Sequence, residues 1–347
     1  MKKVLFITEY LNPPYDEGIK KTVYNLFLDL DKKYELQVIC RYGFEKENIH
    51  IINTNPLFIS KEVKRIIKEF EPESLIYLPF QSSTFASYLR LRVFSLFTKK
   101  TNSIFIALQP KPLKNWQHFL IKAIKPKFAL TPSPTLNEFW DKMKVKNELV
   151  PLLTDLTIFK PILNLKFKKD LRKKYGLPID AFIISHMGHL NEGRNLKTLI
   201  PLQQNGAQIV VAASSSTPED AKGQESLKNE LINAGMIILD GFIENIEEVY
   251  QLSDIYIFPV IKRNSSIGMP LSVLEARACG IPVITTAYGS LKSFLQDDFG
   301  GIFYAQPDNF LKVMNKIKTL ESNNYTKTKV SELNDMFYNS VHMKIEN

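Results

Sequence analysis

The sequence predicts an α/β protein built from two Rossmann-like, doubly wound domains that face each other across a cleft. The chain has 347 residues, which is longer than a single hydrophobic core usually serves. Short β-rich runs alternate with helical patterns almost from end to end, as expected for parallel sheets covered by helices on both faces. With 44% hydrophobic and 23% charged residues, both halves have the composition to bury a core.

The first half of the chain supplies a full alternating series of elements. Each apolar run of strand length is followed by a segment with helical spacing of its apolar residues. The predicted strands are 4–8, 35–40, 49–52, 75–78, 104–108 and 129–131. The predicted helices are 19–30, 61–70, 83–97, 115–124 and 135–143.

A second series begins after a polar, basic stretch at 160–174. Its predicted strands are 182–187, 208–212, 237–239, 255–259 and 282–285. We therefore expect a domain boundary near Pro161, with domains at 1–160 and 161–329 and a terminal segment at 330–347. Residues 330–343 have a helical pattern, which either returns to the first domain or forms a free surface helix. Ligands in doubly wound sheets bind beyond the carboxyl ends of the strands, so tandem domains predict one shared cleft.

The net charge of +9 lies almost wholly in the first half. Residues 1–155 hold 24 Lys and Arg against 16 Asp and Glu, and the remainder is nearly balanced. Aromatic and basic residues crowd into 88–100 and 111–127, which predict two amphipathic helices with basic polar faces. Such helices suit an anionic membrane or an acidic glycan, although ordinary surface helices packed on their own sheet fit the same pattern. No nucleic-acid-binding motif accompanies the charge, so we expect no nucleic-acid partner.

Several other classes are disfavoured. Residues 1–8 predict a first strand rather than a signal peptide, and no apolar run is long enough to span a bilayer. Cys40 and Cys279 fit no metal or redox spacing, which favours a reducing cytoplasm. His186 and His189 are three residues apart with no further ligands in the motif, so we expect no metal site.

The strongest local signal lies between two buried strands, in the run GMPLSVLEARACG at 268–280. A Gly-Pro loop entering a helix presents free backbone N–H groups and the positive end of the helix dipole, an arrangement that suits a phosphate. Ser272 is placed to cap this helix, and Glu275, one turn further, is placed to reach diol hydroxyls. Taken alone, such a turn is more often structural than functional.

The whole run resembles the core motif of the retaining family 4 glycosyltransferases, which have the GT-B fold. That motif carries a Glu, a Gly loop, Pro, and a second Glu eight positions after the first, followed by Ala-Met-Ala-Cys-Gly-x-Pro-Val. Further segments match in order, so the resemblance covers most of the chain. They are 149–161 (LVPLLTDLTIFKP), 188–196 (GHLNEGRNL), 240–242 (DGF), Gly289 and the pair Gly300 and Gly301.

The resemblance implies a donor-binding site and a small catalytic set. Arg194 stands at the family's lysine and would neutralise charge on a departing diphosphate, although a lone arginine is usually a surface residue. Gly18 would let the backbone approach the donor, and an ordinary tight turn is the alternative. The implied catalytic residues are Arg194, Glu275, His189 and Gln109. The implied donor-binding residues are Gly18, Gly188, Gly241, Phe242, Gly268, Met269, Pro270, Leu271, Ser272, Val273 and Glu275.

Three positions depart from the family pattern. Ile267 replaces the first glutamate of the pair, which removes a carboxylate expected to hold the donor sugar. His189 replaces the arginine of a cationic pair, so its charge depends on its surroundings. Gln109 stands where many members place a histidine near the acceptor, and an amide cannot accept a proton at neutral pH.

The resemblance implies an enzyme that moves a sugar from a nucleoside diphosphate sugar to a glycan or lipid-linked acceptor, with retention of anomeric configuration. The expected setting is cell-surface polysaccharide, glycolipid or glycoprotein biosynthesis, in the cytoplasm or peripherally on the inner face of the membrane. No cofactor is expected beyond the nucleotide sugar substrate. The alternatives are an inactive GT-B binding or scaffold subunit and a nucleotide-sugar epimerase.

Overall fold

The chain forms two compact units in the computed structural model. The structure describes residues 1–15, 17–52, 60–98, 101–162, 164–213, 221–262, 265–296, 301–320 and 328–346. The first unit comprises Met1–Leu153, Ile267–Met269 and Leu333–Asn347, and the second comprises Thr154–Ser266 and Pro270–Glu332. The first long segment thus ends at Leu153, whereas the sequence places the boundary near Pro161.

The first unit contains a seven-stranded parallel sheet with the order β3-β2-β1-β4-β5-β6-β7. The six strands predicted from the sequence are confirmed to within a residue or two at their ends. The strands are β1 (Lys3–Ile7), β2 (Glu35–Cys40), β3 (Ile49–Ile51), β4 (Ser74–Tyr77), β5 (Asn102–Ile106), β6 (Phe128–Thr131) and β7 (Lys146–Leu149). The last was not predicted, because its sequence KNEL lies at the sheet edge and lacks the apolar run of a buried parallel strand.

The five helices predicted for this unit are also confirmed. They are α1 (Gly18–Lys33), α2 (Lys61–Phe70), α3 (Phe85–Phe97), α4 (Asn115–Ile124) and α5 (Pro134–Lys142). In α2 the Ser60 hydroxyl accepts a hydrogen bond from the Val63 amide, and buried residues follow at the helical spacing of 63, 66, 67 and 70. In α5, Ser133 caps the first turn and Pro134 takes the first helical position.

One feature of α3 differs from the expected amphipathic helix with a basic polar face. Arg90 is buried rather than solvated, and its Nη1 donates to the carboxylate of Glu9 and to the Tyr77 hydroxyl. Glu9 also accepts a hydrogen bond from the Phe80 amide. The helix is therefore anchored to the sheet by an internal ion pair, and of its two arginines only Arg92 is exposed.

The second unit has a six-stranded parallel sheet with the order β10-β9-β8-β11-β12-β13. The five predicted strands are confirmed, and a sixth, three residues long, was not predicted. The strands are β8 (Phe182–Met187), β9 (Ala207–Ala213), β10 (Ile237–Asp240), β11 (Ile255–Phe258), β12 (Val283–Thr285) and β13 (Ile302–Tyr304). The helices are α6 (Leu165–Lys174), α7 (Ile200–Gln204), α8 (Ala221–Asn233), α9 (Ile246–Gln251), α10 (Leu271–Ala278), α11 (Leu291–Phe294) and α12 (Phe310–Thr319).

The last helix, α13 (Thr328–Glu346), contributes its residues from Leu333 onward to the first unit. The carbonyl of Ile345 accepts hydrogen bonds from Lys2 Nζ and Ser74 Oγ. His342 lies 2.8 Å from the Asp29 carboxylate, and the Ser340 hydroxyl donates to Glu148 across 2.6 Å. These polar contacts hold the end of the chain against α1, the start of β1 and the strands β4 and β7.

Each sheet reverses its winding direction at one place. In the second unit the chain winds outward from β8 through β9 to β10, then continues on the other side of β8 with β11. Ligands of doubly wound sheets bind where the strand order reverses, beyond the carboxyl ends of the two strands. The gap between the ends of β8 and β11 is therefore where a binding site is expected in this unit.

Candidate functional site

The loops that follow β8 and β11 lie against each other. The strands pair in register, with Tyr256 opposite Ser185. Asn195 Nδ2, on the first loop, donates to the carbonyl of Pro259 at the start of the second, across 3.1 Å. A Cβ atom on Gly193 would lie 2.4 Å from Ser265 Oγ, so the two loops are in direct contact. The sheet register thus brings the segment around Arg194 to the loop that precedes α10.

Arg194 ends a short 3-10 turn, Glu192–Arg194, and its guanidinium is partly buried. Its Nε has no hydrogen-bond partner among the described residues. Burial lowers the pKa of Arg194, and the groups that act in the opposite direction are Tyr256 and Tyr288 rather than a carboxylate. A guanidinium remains protonated in proteins, so Arg194 carries a positive charge that no described acid neutralises.

His186 lies beneath this arginine in the carboxyl half of β8 and is fully buried. Its Nδ1 lies 2.9 Å from the carbonyl of Ile257, which can only accept, so Nδ1 carries the proton. Burial lowers the pKa of His186 to about 3, with Arg194 adding to the shift. The neutral ring stacks on Tyr256, with centroids 6.2 Å apart and an interplanar angle of 8°. Nε2 is then a buried acceptor without a partner in the described chain.

Gly188 separates these two side chains and has a φ of +155°. A Cβ atom at this position would lie 3.2 Å from His186 Nε2 and 3.4 Å from Arg194 Cζ. Both the backbone conformation and the crowding favour glycine here. The glycine thus allows the guanidinium to approach the imidazole closely.

Tyrosines connect Arg194 to Glu275 on α10. The Glu275 side chain is buried, and its Oε2 accepts a hydrogen bond from the Tyr250 hydroxyl across 2.7 Å. The Tyr250 ring meets Tyr256 edge-on at 5.5 Å, and the Tyr256 hydroxyl lies near Ser272. No described residue meets hydrogen-bond geometry with the Tyr256 hydroxyl. The second unit thus gathers Gly188, Arg194, Ser272 and Glu275 into one region.

The start of α10 differs from the expectation in one respect. The N-cap residue is Pro270, with no side-chain capping bond, and Ser272 lies inside the first turn. The prediction that Ser272 caps the helix is therefore wrong, because proline already supplies the extended residue before the first turn. Met269, Pro270, Leu271 and Val273 are buried, so a ligand at this end of the helix would meet backbone amides rather than those side chains.

Gly268 groups with the first unit rather than with α10. Its amide donates to the carbonyl of Leu108 across 3.2 Å, so this N–H is not free for a phosphate as the sequence led us to expect. A Cβ atom here would lie 2.7 Å from Ser133 Cα and 2.8 Å from the Pro132 carbonyl oxygen. Close packing of two backbone segments accounts for the glycine.

The first unit holds two further predicted residues. Gly18 is the first residue of α1, as expected, with Glu17 as its N-cap and no side-chain capping bond. Gln109 follows β5, and its backbone is fixed by the Ser82 hydroxyl, which accepts from the Gln109 amide and lies 2.7 Å from its carbonyl. Because the sheet order is β1-β4-β5, these two residues follow strands that are not neighbours.

Gly241, Phe242 and His189 lie outside the buried cluster around Arg194. Gly241 and Phe242 follow the edge strand β10, two strands from β8 or about 10 Å along the sheet, and the Phe242 ring is exposed. His189 is partly exposed on the turn after Gly188.

Sequence reasoning assigns no role in this region to four residues, namely His186, considered only as a metal ligand, and Tyr250, Tyr256 and Tyr288. A polar ring inside the apolar strand FIISHM was a usable signal, since an unpaired buried histidine is costly. The tyrosines carried no such signal, because aromatic residues are common in buried strands and helices. Tyr288 bonds both backbone groups of Ser266, at 2.8 and 2.9 Å, and so holds the loop before Ile267.

The described residues contain no group of three or more His, Cys, Asp or Glu side chains arranged to hold a metal ion. Within the same ranges, no helix combines the length and apolar character needed to cross a bilayer.

Comparison with known proteins places the second unit in a family. Residues 167–337 match the family described as glycosyl transferases group 1. The D-inositol 3-phosphate glycosyltransferase of Xylanimonas cellulosilytica is 26% identical over 162 residues, which cover 44% of this chain and 38% of that protein. The Escherichia coli UDP-Gal:alpha-D-GlcNAc-diphosphoundecaprenol alpha-1,3-galactosyltransferase is 26% identical over 174 residues, covering 46% and 41%. The chain thus spans about two fifths of the length of these curated relatives.

Solved structures match over the whole chain. Anabaena HepE, determined in complex with UDP-glucose, has a TM-score of 0.73 at 12% identity and covers 98% of this chain and 100% of its own. Sucrose-phosphate synthase from Thermosynechococcus elongatus has a TM-score of 0.74 at 14% identity, covering 100% and 97%. At these identities the likeness shows the fold alone. Residues 167–337 thus match the glycosyl transferases group 1 family, and the two Rossmann-like units of the chain are those of the GT-B fold.

Proposed function

We propose that this protein is a retaining glycosyltransferase that moves a sugar from a nucleoside diphosphate sugar to a glycan or lipid-linked acceptor. The observation that carries the proposal is the unneutralised charge of Arg194 at the switch point of the second sheet. A partly buried cation with a buried, unpartnered Nε and no acidic neighbour among the described residues is costly unless an anion binds there. A diphosphate supplies that anion.

In this proposal Arg194 stabilises the negative charge that develops on the departing diphosphate. The first-turn amides of α10 add donors and the positive end of a helix dipole. Glu275, oriented by the Tyr250 hydroxyl, accepts hydrogen bonds from hydroxyls of the nucleotide ribose. His186 stays neutral because of its burial, so it does not compete with Arg194 as a second fixed cation.

The departures from the family motif fit a reaction on the donor's own face. In that reaction the leaving phosphate oxygen takes the acceptor proton, so no protein base is required. Gln109 then orients an acceptor hydroxyl without removing its proton. Because of Ile267, the protein has one carboxylate fewer to bind the donor sugar. The nucleotide therefore contributes more to donor binding than the sugar does. Catalysis depends on positioning and phosphate stabilisation.

We assign the acceptor by its chemical class, which is anionic. The names of two relatives give inositol 3-phosphate and a sugar diphosphate linked to undecaprenol, both of which are anionic. The basic first half of this chain, with 24 Lys and Arg against 16 Asp and Glu in residues 1–155, suits an acceptor of that charge. We place the reaction in cell-surface glycan or glycolipid biosynthesis, with the protein peripheral on the inner face of the membrane.

The proposal is tested by binding and by transfer. A panel of uridine, guanosine and adenosine diphosphate sugars is screened by thermal shift, where ligand at 100 times its dissociation constant adds about 2.7 kcal/mol of apparent stability. With the donor identified, Arg194→Ala is expected to lower transfer about 100- to 1,000-fold. Lys197→Ala, which removes an exposed cation three residues away, is the control and should leave transfer unchanged. Absence of binding across the panel would contradict the proposal.

A second candidate is a binding subunit that retains the nucleotide site without turnover. Ile267 favours it, because the sugar-holding carboxylate of the family is absent there. This candidate gains if the protein binds a nucleotide sugar, yet purified protein supplied with lipid-linked and soluble acceptors neither transfers nor hydrolyses it.

A further inference from the structure

The helix α4 presents an unusual outer face. Its apolar residues at positions i, i+3, i+4 and i+7 are exposed instead of buried. Trp116 is 52% exposed, Phe119 is 74% exposed and Leu120 is 42% exposed, and Ala123 is also exposed. At 100° per residue these four positions form a stripe about 100° wide. The stripe is as wide as the face by which a surface helix normally packs on its core.

The opposite face of α4 packs on the core of the first unit. Ile121 is fully buried in the core of the first unit, and Ile124 packs against the same cluster. The His118 ring meets Phe139 edge-on at 5.6 Å. The Trp116 ring also meets the Phe85 ring of α3 edge-on at 5.2 Å. Phe119 and Leu120 are therefore the part of the stripe that these packing contacts leave exposed. Contiguous exposed apolar groups of this kind mark interaction surfaces.

The charge around the stripe is of one sign. Between Glu73 and Glu138 the sequence contains nine Lys or Arg and no Asp or Glu. Lys122 lies on α4, and Lys114 and Lys127 flank the helix. All three are exposed and form no ion pair with a carboxylate in the described part of the chain. Lys125 donates to the carbonyls of Met143 and Lys144 across 3.0 Å. An occupant of this face must bring negative charge and apolar groups together.

The basic helix α6 can be compared with α4, because some of its lysines have acidic partners. In α6, Leu165 is 78% exposed and Phe167 is exposed, so apolar groups are also present there. Three of its five lysines, however, are paired: Lys168 with Asp254, Lys169 with Asp180 and Lys174 with Glu248. The charge of α6 is thus partly balanced by acids, whereas none of the lysines beside the α4 stripe pairs with a described acid. Of the two helices, only α4 combines two exposed aromatic residues with such lysines.

We infer that α4 docks on an anionic lipid bilayer, with Trp116, Phe119 and Leu120 inserted at the level of the headgroups and Lys114, Lys122 and Lys127 facing lipid phosphates. An aromatic and aliphatic stripe flanked by lysines fits an interface that is apolar below and negatively charged at its surface. The other basic helix predicted from the sequence, α3, does not share this role, because Arg90 is buried against Glu9. This inference deepens the proposed function, since it assigns the surface through which a lipid-linked acceptor is met.

The test measures binding of the full chain to vesicles without any donor. Vesicles of phosphatidylcholine, with and without phosphatidylglycerol, are titrated while tryptophan emission is followed. Of the two tryptophans in the chain, Trp140 is buried, so Trp116 reports insertion. We expect a blue shift and protection from an aqueous quencher with the anionic vesicles only, and weakening of binding by salt. Equal binding to both vesicle types, or none to either, would overturn the inference.

Variants separate the contributions of the stripe and its lysines. Phe119→Ser is expected to weaken partitioning about tenfold or more, and Lys122→Gln about fivefold. Phe167→Ser on α6 is the matched control and should change nothing. If soluble polyglutamate binds the protein as tightly as the vesicles do, and Phe119→Ser leaves vesicle binding intact, the face binds acidic polymers rather than lipid and the inference fails. Arg194→Ala should lower transfer about 100- to 1,000-fold but retain vesicle binding, so the failure of docking and the failure of the proposed function are distinguished.

Discussion

The Tyr250 hydroxyl donates a hydrogen bond to Glu275 across 2.7 Å inside the second unit, whereas the hydroxyl of Tyr256, whose ring lies 5.5 Å from that of Tyr250, has no partner among the described residues. The two tyrosines thus form a matched pair. Removing the first hydroxyl takes a hydrogen bond away from a buried carboxylate, while removing the second takes away a hydroxyl that has no hydrogen-bond partner among the described residues.

We predict that Tyr250→Phe lowers the free energy of unfolding by about 1–3 kcal/mol. Tyr256→Phe is expected to be neutral or slightly stabilising. Urea unfolding followed by circular dichroism compares the two variants with the parent protein. Equal losses in both would mean that the bond between Tyr250 and Glu275 contributes nothing measurable. In the proposed function, Tyr250→Phe also weakens binding of the nucleoside diphosphate, because Glu275 loses its orientation.

Two arginines on α3 give a second matched pair. Arg90 is buried against Glu9, and Arg92 is exposed. Burial raises the pKa of Glu9, which shows that its charge is costly to hold in this place. Arg90→Ala should therefore lower the free energy of unfolding by about 3–5 kcal/mol, because it leaves an uncompensated buried carboxylate. Arg92→Ala should change it by less than about 0.5 kcal/mol, and comparable losses in chemical denaturation would contradict the structural assignment.

Most of the fold was predictable because parallel strands buried on both faces are continuous apolar runs. The run FIISHM gives β8 with the predicted bounds, Phe182–Met187. The failures lie where that rule does not apply. The strand β7 (KNEL) lies at an edge and needs little apolar character, and β13 is only three residues long.

The candidate site was only partly predictable. Arg194 and Glu275 follow from motif spacing, but the contacts that set their properties join positions far apart in sequence. His186 meets Tyr256 only because β8 and β11 are neighbours in register. The predicted cap at Ser272 failed because Pro270 already holds the N-cap position, a local choice that the motif alone does not fix.

The burial of His186 predicts that the stability of the protein depends on pH in the acidic range. Its pKa in the folded protein is about 3, below the value near 6.5 expected for an unfolded chain. Between these values the unfolded state binds more protons, so stability falls as the pH is lowered from about 6.5 towards 3. The free energy of unfolding is expected to change by up to about 1.4 kcal/mol per pH unit because of this one group.

His186→Asn keeps a donor for the Ile257 carbonyl and removes the titrating ring. Unfolding free energies of the variant and the parent, measured at several pH values below 6.5, should differ in slope by this amount. A direct titration of the His186 ring by NMR checks the same point. If the ring protonates near pH 6.5 in the folded protein, burial does not keep His186 neutral beneath Arg194, and the prediction is wrong.

Gly188 has a φ of +155° and two close neighbours, His186 and Arg194. A substitution there therefore affects both the backbone strain and the side chains of the proposed diphosphate site. Gly188→Ala brings a Cβ within 3.2 Å of His186 Nε2, so the ring beneath the guanidinium must shift, and within 3.4 Å of Arg194 Cζ. Gly176, with a φ of +64° and open space around it, is the control, and Gly176→Ala costs only the conformational strain of about 1 kcal/mol. Both variants should lose stability, but only Gly188→Ala should weaken binding of a nucleoside diphosphate, by about tenfold or more. Calorimetric titration with UDP, GDP and ADP measures this difference, and unchanged binding in Gly188→Ala would remove Arg194 from the proposed diphosphate site.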